Sequence, residues 1–172
     1  MEINRIWAMP DSKTFNIKPI GKLLGKYVKG GVIIDPFANG SKWGTITNDL
    51  NPEFETDYNL DALEFLKLMK SNSADVVLFD PPYSPRQVSE CYKGVGLEMT
   101  MESTQASFWS NCKNEIKRIM KTGGICISFG WNSMGLGKNR YFEIIEILLV
   151  PHGGHKNDTL CTVEKKFNYD MF

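Results

Sequence analysis

The chain has 172 residues, and its 20 lysine and arginine residues balance its 20 aspartate and glutamate residues. A net charge of zero excludes a polycation that coats nucleic acid through bulk charge, although a local basic groove remains compatible with it. Because no apolar run approaches the roughly 18 residues of a membrane span and the first residues lack a signal-peptide core, we expect a cytoplasmic (intracellular) protein. Four scattered cysteines without a CxxC pair indicate reduced, structural thiols.

Helical and strand segments alternate along the sequence, which at this length predicts one domain over residues 1–172. Helices are recognised by apolar residues three and four positions apart, and strands by short apolar runs. In chain order the predicted elements are a helix over 20–28, strands over 32–34, 45–48 and 57–60, a helix over 61–70, a strand over 75–79, a long loop over 84–104, a helix over 105–120, and strands over 125–129, 142–150 and 159–165.

The predicted strands are apolar without polar alternation, so both of their faces should be buried. Such strands, alternating with helices, predict an α/β fold with a mostly parallel, Rossmann-like sheet and helices on both faces. The last two strands are joined by the Gly-rich segment PHGGHKND and should form a C-terminal antiparallel hairpin. In sheets of this kind, ligands bind at the carboxyl ends of the strands.

Four aspartates should gather at this edge of the sheet: Asp35, Asp49, Asp61 and Asp80. Such a cluster could bind a divalent metal, or accept hydrogen bonds from the hydroxyl and amino groups of an extended ligand. Each aspartate could also cap a turn or a helix, as the position of Asp61 at a predicted helix start suggests. Because the four belong to separate strands, we favour ligand binding and expect no metal.

Two motifs in this region carry a resemblance to a known family. DPFANG at 35–40 precedes DPPY at 80–83, and FNIKPI stands before both at 15–20. In this order they resemble the S-adenosylmethionine-dependent amino-methyltransferases, especially the DNA adenine N6 group, in a small single-domain form. The resemblance covers most of the chain. It implies a class I methyltransferase-like fold, methyl transfer from S-adenosylmethionine to adenine N6 in DNA, and S-adenosylhomocysteine as the product.

The chemistry of amino methylation explains the DPPY motif. The lone pair of an adenine amino nitrogen is delocalised into the ring, so the nitrogen must pyramidalise before it attacks a methyl sulfonium. Acceptors for both amino hydrogens favour that geometry and stabilise the developing positive charge. Asp80 would supply one acceptor and the carbonyl of Pro81 the other, with Pro82 fixing the turn. Tyr83 would offer a flat face on which a flipped or unpaired base can stack.

The resemblance implies the catalytic and cofactor-binding residues one by one, and the predicted loops supply further candidates for substrate binding. The predicted catalytic residues are Asp80, Pro81, Pro82 and Tyr83. The predicted cofactor-binding residues are Phe15, Lys18, Asp35, Pro36, Phe37, Asp49, Asp61 and Asp80; within this set Asp49 would accept from the ribose hydroxyls, and Asp61 from the cofactor's adenine amino group. The predicted substrate-binding residues, Tyr83, Ser84, Arg86, Lys138 and Arg140, lie in or next to predicted loops where basic side chains could hold phosphates.

The chain also departs from the family pattern. Asn39 and Ser41 occupy the positions of the usual glycines, which leaves Gly40 between them for the tight turn. Only thirteen residues separate Asp35 from Asp49, too few for the usual helix between the first two strands. We expect no separate target-recognition domain. Trp7 and Trp131 are compatible with either a core or a groove position.

Three alternatives to DNA adenine methylation stay open. The first is methylation of cytosine N4 in DNA, although Asp in the position before the two prolines favours adenine. An RNA amino group or a protein glutamine amide is a second possibility, although enzymes of those classes more often carry Asn there. A catalytically silent subunit that binds nucleic acid is the third, and the altered glycine positions keep it open.

Overall fold

The structure, a computed structural model, describes residues 1–97 and 106–168. Its helices are α1 (Lys18–Tyr27), α2 (Ala62–Leu68), α3 (Pro85–Gly94) and α4 (Ala106–Ile119). Its strands are β1 (Glu2–Arg5), β2 (Ile33–Asp35), β3 (Ile46–Thr47), β4 (Ala74–Phe79), β5 (Met120–Gly130), β6 (Phe142–Val150) and β7 (Thr159–Lys166). Single 3₁₀ turns occur at Thr14–Asn16 and Lys138–Arg140.

The strands form one seven-stranded sheet in the order β1-β6-β7-β5-β4-β2-β3. Strand β7 runs antiparallel to β5 and β6, while the pairs β1–β6, β5–β4, β4–β2 and β2–β3 are parallel. This arrangement confirms the predicted α/β fold with a mostly parallel sheet and a C-terminal hairpin. It brings the carboxyl ends of β2, β3, β4 and β5 to one edge, and the candidate site is built there.

Side chains along β4 alternate between two apolar layers, as the period of two in a strand requires. Val76 and Leu78 belong to the layer that contains α1, whereas Val77 and Phe79 belong to the layer that contains α2 and α4. The predicted helices on both faces are therefore confirmed. Burying a side chain of this size contributes roughly 1.5–3 kcal/mol, so the two layers fix where the strand ends lie. The fully buried residues in the described helices are Ile20, Leu24, Phe65, Leu66, Cys112, Ile116 and Ile119.

The prediction of a loop over 84–104 is wrong for its first part, because α3 occupies Pro85–Gly94. Ser84 is the N-cap of α3, accepting from the backbone of Gln87, and Pro85 stands in the first turn, where proline is favoured. Val88 is the buried residue of this helix, so the apolar periodicity was too weak to reveal it. Residues 98–104 of the predicted loop, and the predicted helix start at Gln105, lie outside the described residues.

Three strand predictions also differ from the structure. Strand β1 was not predicted, because it is a short edge strand with largely exposed side chains. Residues 57–60 do not form a strand, and a single bridge joins Tyr58 to Asn48. Strand β5 begins at Met120 rather than at 125, directly after α4, and a register irregularity against β4 accommodates Gly123 and its positive φ of 83°.

The helices of the described residues are too short or too polar to cross a membrane.

Candidate functional site

A cleft of about 550 Å³ opens over the carboxyl ends of β2, β3 and β4. Its floor includes Pro36 and Phe37 after β2, Asp49 after β3, and Asp80 after β4. Helix α3 and the first turn of α4 contribute the walls. The volume falls within the range of roughly 300–1,000 Å³ that is typical of small-molecule and cofactor sites. The cleft therefore joins the DPPY motif to the ends of the first two core strands in one continuous space.

The DPPY motif is held rigidly at this edge. The Tyr83 hydroxyl donates a 2.5 Å hydrogen bond to Asp80 Oδ1. The Tyr83 backbone N–H donates to Gln87 Oε1 at 2.6 Å, which ties the motif to the first turn of α3. Pro81 and Pro82, which lie between Asp80 and Tyr83 in the chain, line the cleft. Because proline fixes φ, the chain between the two anchored residues has little freedom to rearrange.

Burial changes the protonation of the Asp80 carboxyl. Loss of solvent raises the pKa of Asp80 to about 6, and hydrogen bonding from Tyr83 and Thr14 opposes this shift. The pKa of the Tyr83 hydroxyl is raised as well, first by burial and then by the adjacent Asp80 charge. At neutral pH the Asp80 side chain is therefore mostly an ionised acceptor, and Tyr83 remains a neutral donor.

Asp35 lies beneath the cleft rather than among the residues that line it. Its Oδ1 accepts from the Phe37 N–H at 3.2 Å, and its Oδ2 is fully buried without a hydrogen-bond partner among the described residues. Burial, and to a smaller extent the charges of Asp80 and Asp49, raise the pKa of Asp35 well above its usual value. This shift favours the neutral form of the Asp35 carboxyl group, which would avoid a second buried negative charge near Asp80.

A tight turn replaces a helix between β2 and β3, as the thirteen-residue spacing predicted. Asn39 and Gly40 both have positive φ, at 45° and 72°, so the turn uses Asn39 as well as the glycine. Asp49 holds this turn, because its Oδ2 accepts from the Asn39 N–H at 2.8 Å while its Oδ1 accepts from the Asn51 N–H at 2.9 Å. The Asp49 carboxylate lines the cleft with two backbone donors already fixing its orientation.

Asn48 is a site residue that the sequence analysis missed. Its buried amide donates to the carbonyls of Pro36 and Leu60 at 3.0 Å each, and its Oδ1 accepts from the Leu60 N–H at 2.9 Å. One side chain thus joins the ends of β2 and β3 to the residue before the N-cap of α2. The signal that could have revealed Asn48 is its position, because it is a polar residue at the end of the predicted strand over 45–48.

Asp61 is the N-cap of α2, as predicted, with Oδ1 accepting from the Leu63 N–H at 2.9 Å. Its Oδ2 accepts a 2.5 Å hydrogen bond from the Tyr92 hydroxyl of α3. The second oxygen, which we expected to meet a ligand, is therefore used to hold α3 over the cleft. Tyr92 itself lines the cleft and escaped the sequence analysis, because its helix was interpreted as a loop.

Aromatic side chains line the floor and one wall of the cleft, with Phe37 after β2 and with Phe108 and Trp109 in α4. Phe37 lies 6.0 Å from Trp109, and Trp109 lies 4.9 Å from Phe108, measured between ring centroids. All three line the cleft, while Phe79 packs behind them at the end of β4. Helical periodicity assigned Trp109 to the apolar side of α4, and its role as a cleft wall follows only from the fold. Such a wall suits a flat ring.

A second, smaller cleft of about 220 Å³ adjoins the first and shares Thr14, Phe37, Asn39 and Asp80 with it. Phe15 lines this smaller cleft and packs against Phe129 at 5.1 Å. Lys18, at the start of α1, is exposed and lines neither cleft. The FNIKPI segment therefore reaches the site through Phe15 and not through its lysine.

Of the five predicted substrate-binding residues, Tyr83 lines the larger cleft. The other four, Ser84, Arg86, Lys138 and Arg140, line neither cleft. Ser84 caps α3, and Arg86 forms an exposed ion pair with Glu90 at 2.8 Å. Arg140 donates to Asn114 Oδ1 at 2.9 Å and to Ser110 Oγ at 2.8 Å, which fastens the turn before β6 onto α4. Lys138 is exposed in that same turn.

His152 and three of the four cysteines are buried in the core. His152 is buried, with its ring nitrogens 2.9 Å from Ala8 O and from Thr159 Oγ1. In the described part of the chain, no group of three His, Cys, Asp or Glu side chains could hold a metal ion. The four cysteines are free thiols, of which three are buried, while the exposed Cys91 lines the larger cleft.

No protein-family model matches this chain, and no curated protein matches it either. Solved structures do share its fold. The 1,6-didemethyltoxoflavin-N1-methyltransferase of Burkholderia thailandensis, bound to 1,6-didemethyltoxoflavin and S-adenosylhomocysteine, superposes with a TM-score of 0.59 and 11% identity, over 88% of this chain and 78% of that one.

Two further structures have similar scores. TrmN from Thermus thermophilus has a TM-score of 0.54 and 14% identity, over 88% of this chain and 49% of its own. NSun6 from Pyrococcus horikoshii with SFG has a TM-score of 0.54 and 13% identity, over 86% of this chain and 50% of its own. This chain thus spans about half of those two proteins. At such identities the likeness establishes the fold alone, which is that of the class I methyltransferases.

Proposed function

We propose that this protein transfers the methyl group of S-adenosylmethionine to an exocyclic amino group on a flat heteroaromatic ring, with adenine N6 in DNA as the first candidate. The observation that carries the proposal is the placement of Asp80. Its carboxylate, oriented by Tyr83, faces a cleft that continues to the ends of β2 and β3. An amino donor and a cofactor could therefore meet in one space.

The cleft has the chemistry that S-adenosylmethionine would need. Asp49 presents a carboxylate, already oriented by two backbone donors, that can accept from ribose hydroxyls. Pro36 and Phe37 offer apolar surface beside Asp80, and the aromatic wall can cover an adenine ring. Bound there, the cofactor supplies an electrophilic methyl group. The Burkholderia methyltransferase, with the same fold, holds S-adenosylhomocysteine.

The residues of the DPPY motif would activate the amino nitrogen. Asp80 accepts one amino hydrogen and the Pro81 carbonyl accepts the other, so that the nitrogen lone pair turns away from the ring. The amino nitrogen would become positively charged on receiving the methyl group, and S-adenosylhomocysteine would be left as the product. Asp80, with a pKa of about 6, stabilises this charge and can take the proton that the nitrogen then loses.

A second candidate acceptor is the amino group of a small heteroaromatic molecule. Among the described residues, the larger cleft is lined without lysine or arginine, and the basic residues proposed to hold phosphates lie outside it. The Burkholderia structure, an N1-methyltransferase of this fold, holds the small molecule 1,6-didemethyltoxoflavin. A base in duplex DNA would in addition have to leave the stack to reach Asp80.

The decisive experiment compares Asp80→Ala with the parent and with Asp158→Ala, an exposed aspartate of the β6–β7 turn. Binding of S-adenosylhomocysteine is measured by calorimetry, and labelled methyl transfer is measured on single-stranded DNA, duplex DNA, RNA and free adenosine. We expect Asp80→Ala to lose roughly 100-fold or more in transfer rate, with cofactor affinity within a few-fold of the parent and Asp158→Ala unchanged. An Asp80→Ala rate within a few-fold of the parent would remove Asp80 from the mechanism.

A further inference from the structure

Trp131 stands next to the DPPY motif although fifty residues separate it from Asp80 in the chain. Strands β4 and β5 are parallel, with Phe79 opposite Ser128. The segments that follow the two strands therefore leave the sheet side by side. Trp131 follows the last residue of β5 directly, and its ring centroid lies 5.7 Å from that of Tyr83. Asp80, Tyr83 and Trp131 thus form a row at the carboxyl edge, in which Asp80 and Tyr83 line the larger cleft and Trp131 lies next to Tyr83, outside the residues that line it.

Tyr83 and Trp131 differ in what they offer to an incoming ring. Tyr83 packs against the apolar layer of α1, and its hydroxyl is committed to Asp80. Trp131 is 42% exposed, and the two ring planes meet at 66°, edge to face, so that they form a corner. A stacking platform needs an accessible face. Within the described residues of this corner, Trp131 is the aromatic side chain with the larger exposed surface.

The loop that carries Trp131 is anchored at its far end. Glu164 of β7, fully buried, accepts from the Leu136 N–H at 2.7 Å and from the Gly137 N–H at 2.9 Å. Leu136 is buried in the layer of α2 and α4. With one end fixed by β5 and the other by Glu164, the loop presents Trp131 in an ordered position. Pre-ordering of this kind reduces the entropy lost when a ligand binds.

We infer, on the basis of the proposed function, that Trp131 is the residue on which the amino-bearing heteroaromatic ring of the methyl acceptor stacks, while Tyr83 positions the Asp80 carboxylate. This division of roles differs from the sequence-based prediction, which gave the stacking face to Tyr83. The ring chemistry is shared by an unpaired adenine in a nucleic acid strand and by a free adenine nucleoside.

The test compares Trp131→Ala and Trp131→Phe with the parent, and uses Trp7→Ala as a matched control. Trp7 is 59% exposed and follows β1, so it also lies at the carboxyl ends of the parallel strands. In the strand order, β1 is separated from β4 by β6, β7 and β5. Two acceptors are used, a single-stranded DNA oligonucleotide with one adenine and free adenosine, and the variants are compared on whichever the parent methylates faster. Calorimetry with S-adenosylhomocysteine and thermal unfolding accompany the kinetics.

We expect Trp131→Ala to lower kcat/KM roughly 5- to 150-fold, the range that the loss of one stacked base implies. Trp131→Phe should retain most of the activity, and Trp7→Ala all of it. Affinity for S-adenosylhomocysteine and the midpoint of the pH–rate profile should stay at the parent values in Trp131→Ala. A shifted pH midpoint would mean that Trp131 acts only through Tyr83 and Asp80, and would overturn the stacking role.

Two other outcomes separate this inference from the proposed function. If the parent is active and Trp131→Ala stays within twofold of it, or if Trp131→Phe falls as far as Trp131→Ala, the stacking role is wrong and the proposed function stands. If the parent binds S-adenosylhomocysteine but methylates neither acceptor, the proposed amino methylation of adenine is contradicted, and the role of Trp131 is contradicted with it.

Discussion

The hydrogen bond from the Tyr83 hydroxyl to Asp80 Oδ1, 2.5 Å long, ties a partly buried carboxylate to a donor three residues away in the same rigid motif. Burial pushes the carboxyl toward its neutral form, and the hydroxyl pulls it back toward the ionised form. The balance of the two sets the pH above which Asp80 is an ionised, and therefore strong, hydrogen-bond acceptor. Several consequences of this balance can be measured.

The rate of methyl transfer should rise with pH through about 6. Ionised Asp80 accepts an amino hydrogen more strongly than the neutral carboxyl does and can take the proton that the nitrogen loses, and burial raises its pKa to about 6. Below that pH the carboxyl is protonated and kcat/KM should fall about tenfold for each pH unit. A pH–rate profile on the acceptor that the parent methylates checks this. A flat profile between about pH 5 and 7 would show that the protonation of Asp80 does not limit the reaction.

Tyr83→Phe should move the midpoint of that profile upward. The substitution keeps the ring against Trp131 but removes the hydroxyl. In the parent, the hydrogen bond from this hydroxyl lowers the pKa of Asp80, so its loss should raise that pKa. Without this donor the carboxyl stays protonated to higher pH, so activity at pH 6 should fall more than activity at pH 8. Tyr58→Phe, at a partly exposed tyrosine near the start of α2, is the control. An unmoved midpoint in Tyr83→Phe would mean that the short bond does not tune Asp80.

Asp49→Ala should weaken cofactor binding before it affects anything else. The Asp49 carboxylate lines the cleft and also holds the N–H groups of Asn39 and Asn51. Losing a charged acceptor, together with the order of the Asn39 turn, should raise the Kd for S-adenosylhomocysteine roughly 10- to 100-fold. Calorimetry against Asp158→Ala measures the difference. Unchanged affinity would leave Asp49 with a purely structural role.

The sequence was informative wherever a pattern was local. Buried strands appeared as apolar runs, and the residue after each run fell at the carboxyl edge, which is how Asp49 and Asp80 were identified. The cap of α2 by Asp61 was predicted from its position before a periodic segment. These features depend on residues within a few positions of one another, and the period of two or 3.6 is visible in such a window.

The missed features depend on contacts between distant segments or on weak local signals. Tyr92 meets Asp61 across 31 residues, and Glu164 meets Leu136 across 28, so neither contact leaves a local pattern. Helix α3 buries little apart from Val88, because much of it faces the cleft rather than the core. Helix α3, which forms one wall of the larger cleft, was therefore the hardest helix to predict.

Glu146 should be a main stabilising residue away from the site. It is buried in β6 and accepts from Lys26 Nζ and the Tyr27 hydroxyl at 2.6 Å each, and from Asn4 Nδ2 at 3.1 Å. Its removal would leave the partly buried Tyr27 hydroxyl without this acceptor, so Glu146→Ala should cost about 2 kcal/mol of unfolding free energy. Urea unfolding measures it, with Glu143→Ala, exposed on the same strand, as a control near zero. A loss below about 0.5 kcal/mol would contradict this role.

Gly135→Ala should both destabilise the protein and disturb the loop of Trp131. Gly135 has a φ of 51°, and a Cβ at this position would overlap the Glu164 carboxylate. The left-handed conformation alone costs an alanine roughly 1–2 kcal/mol, and displacing Glu164 would loosen its bonds to the Leu136 and Gly137 N–H groups. We therefore expect a loss of more than about 2 kcal/mol in urea unfolding.

Gly25→Ala provides the contrasting control for this substitution. Gly25 lies within α1 with open space around its Cβ position, so alanine there should be neutral or should stabilise by up to about 1 kcal/mol. If Glu164 orders the loop that presents Trp131, Gly135→Ala should also lower kcat/KM at temperatures where it remains folded, whereas Gly25→Ala should not. Full activity in folded Gly135→Ala would show that Trp131 keeps its position without the Glu164 anchor.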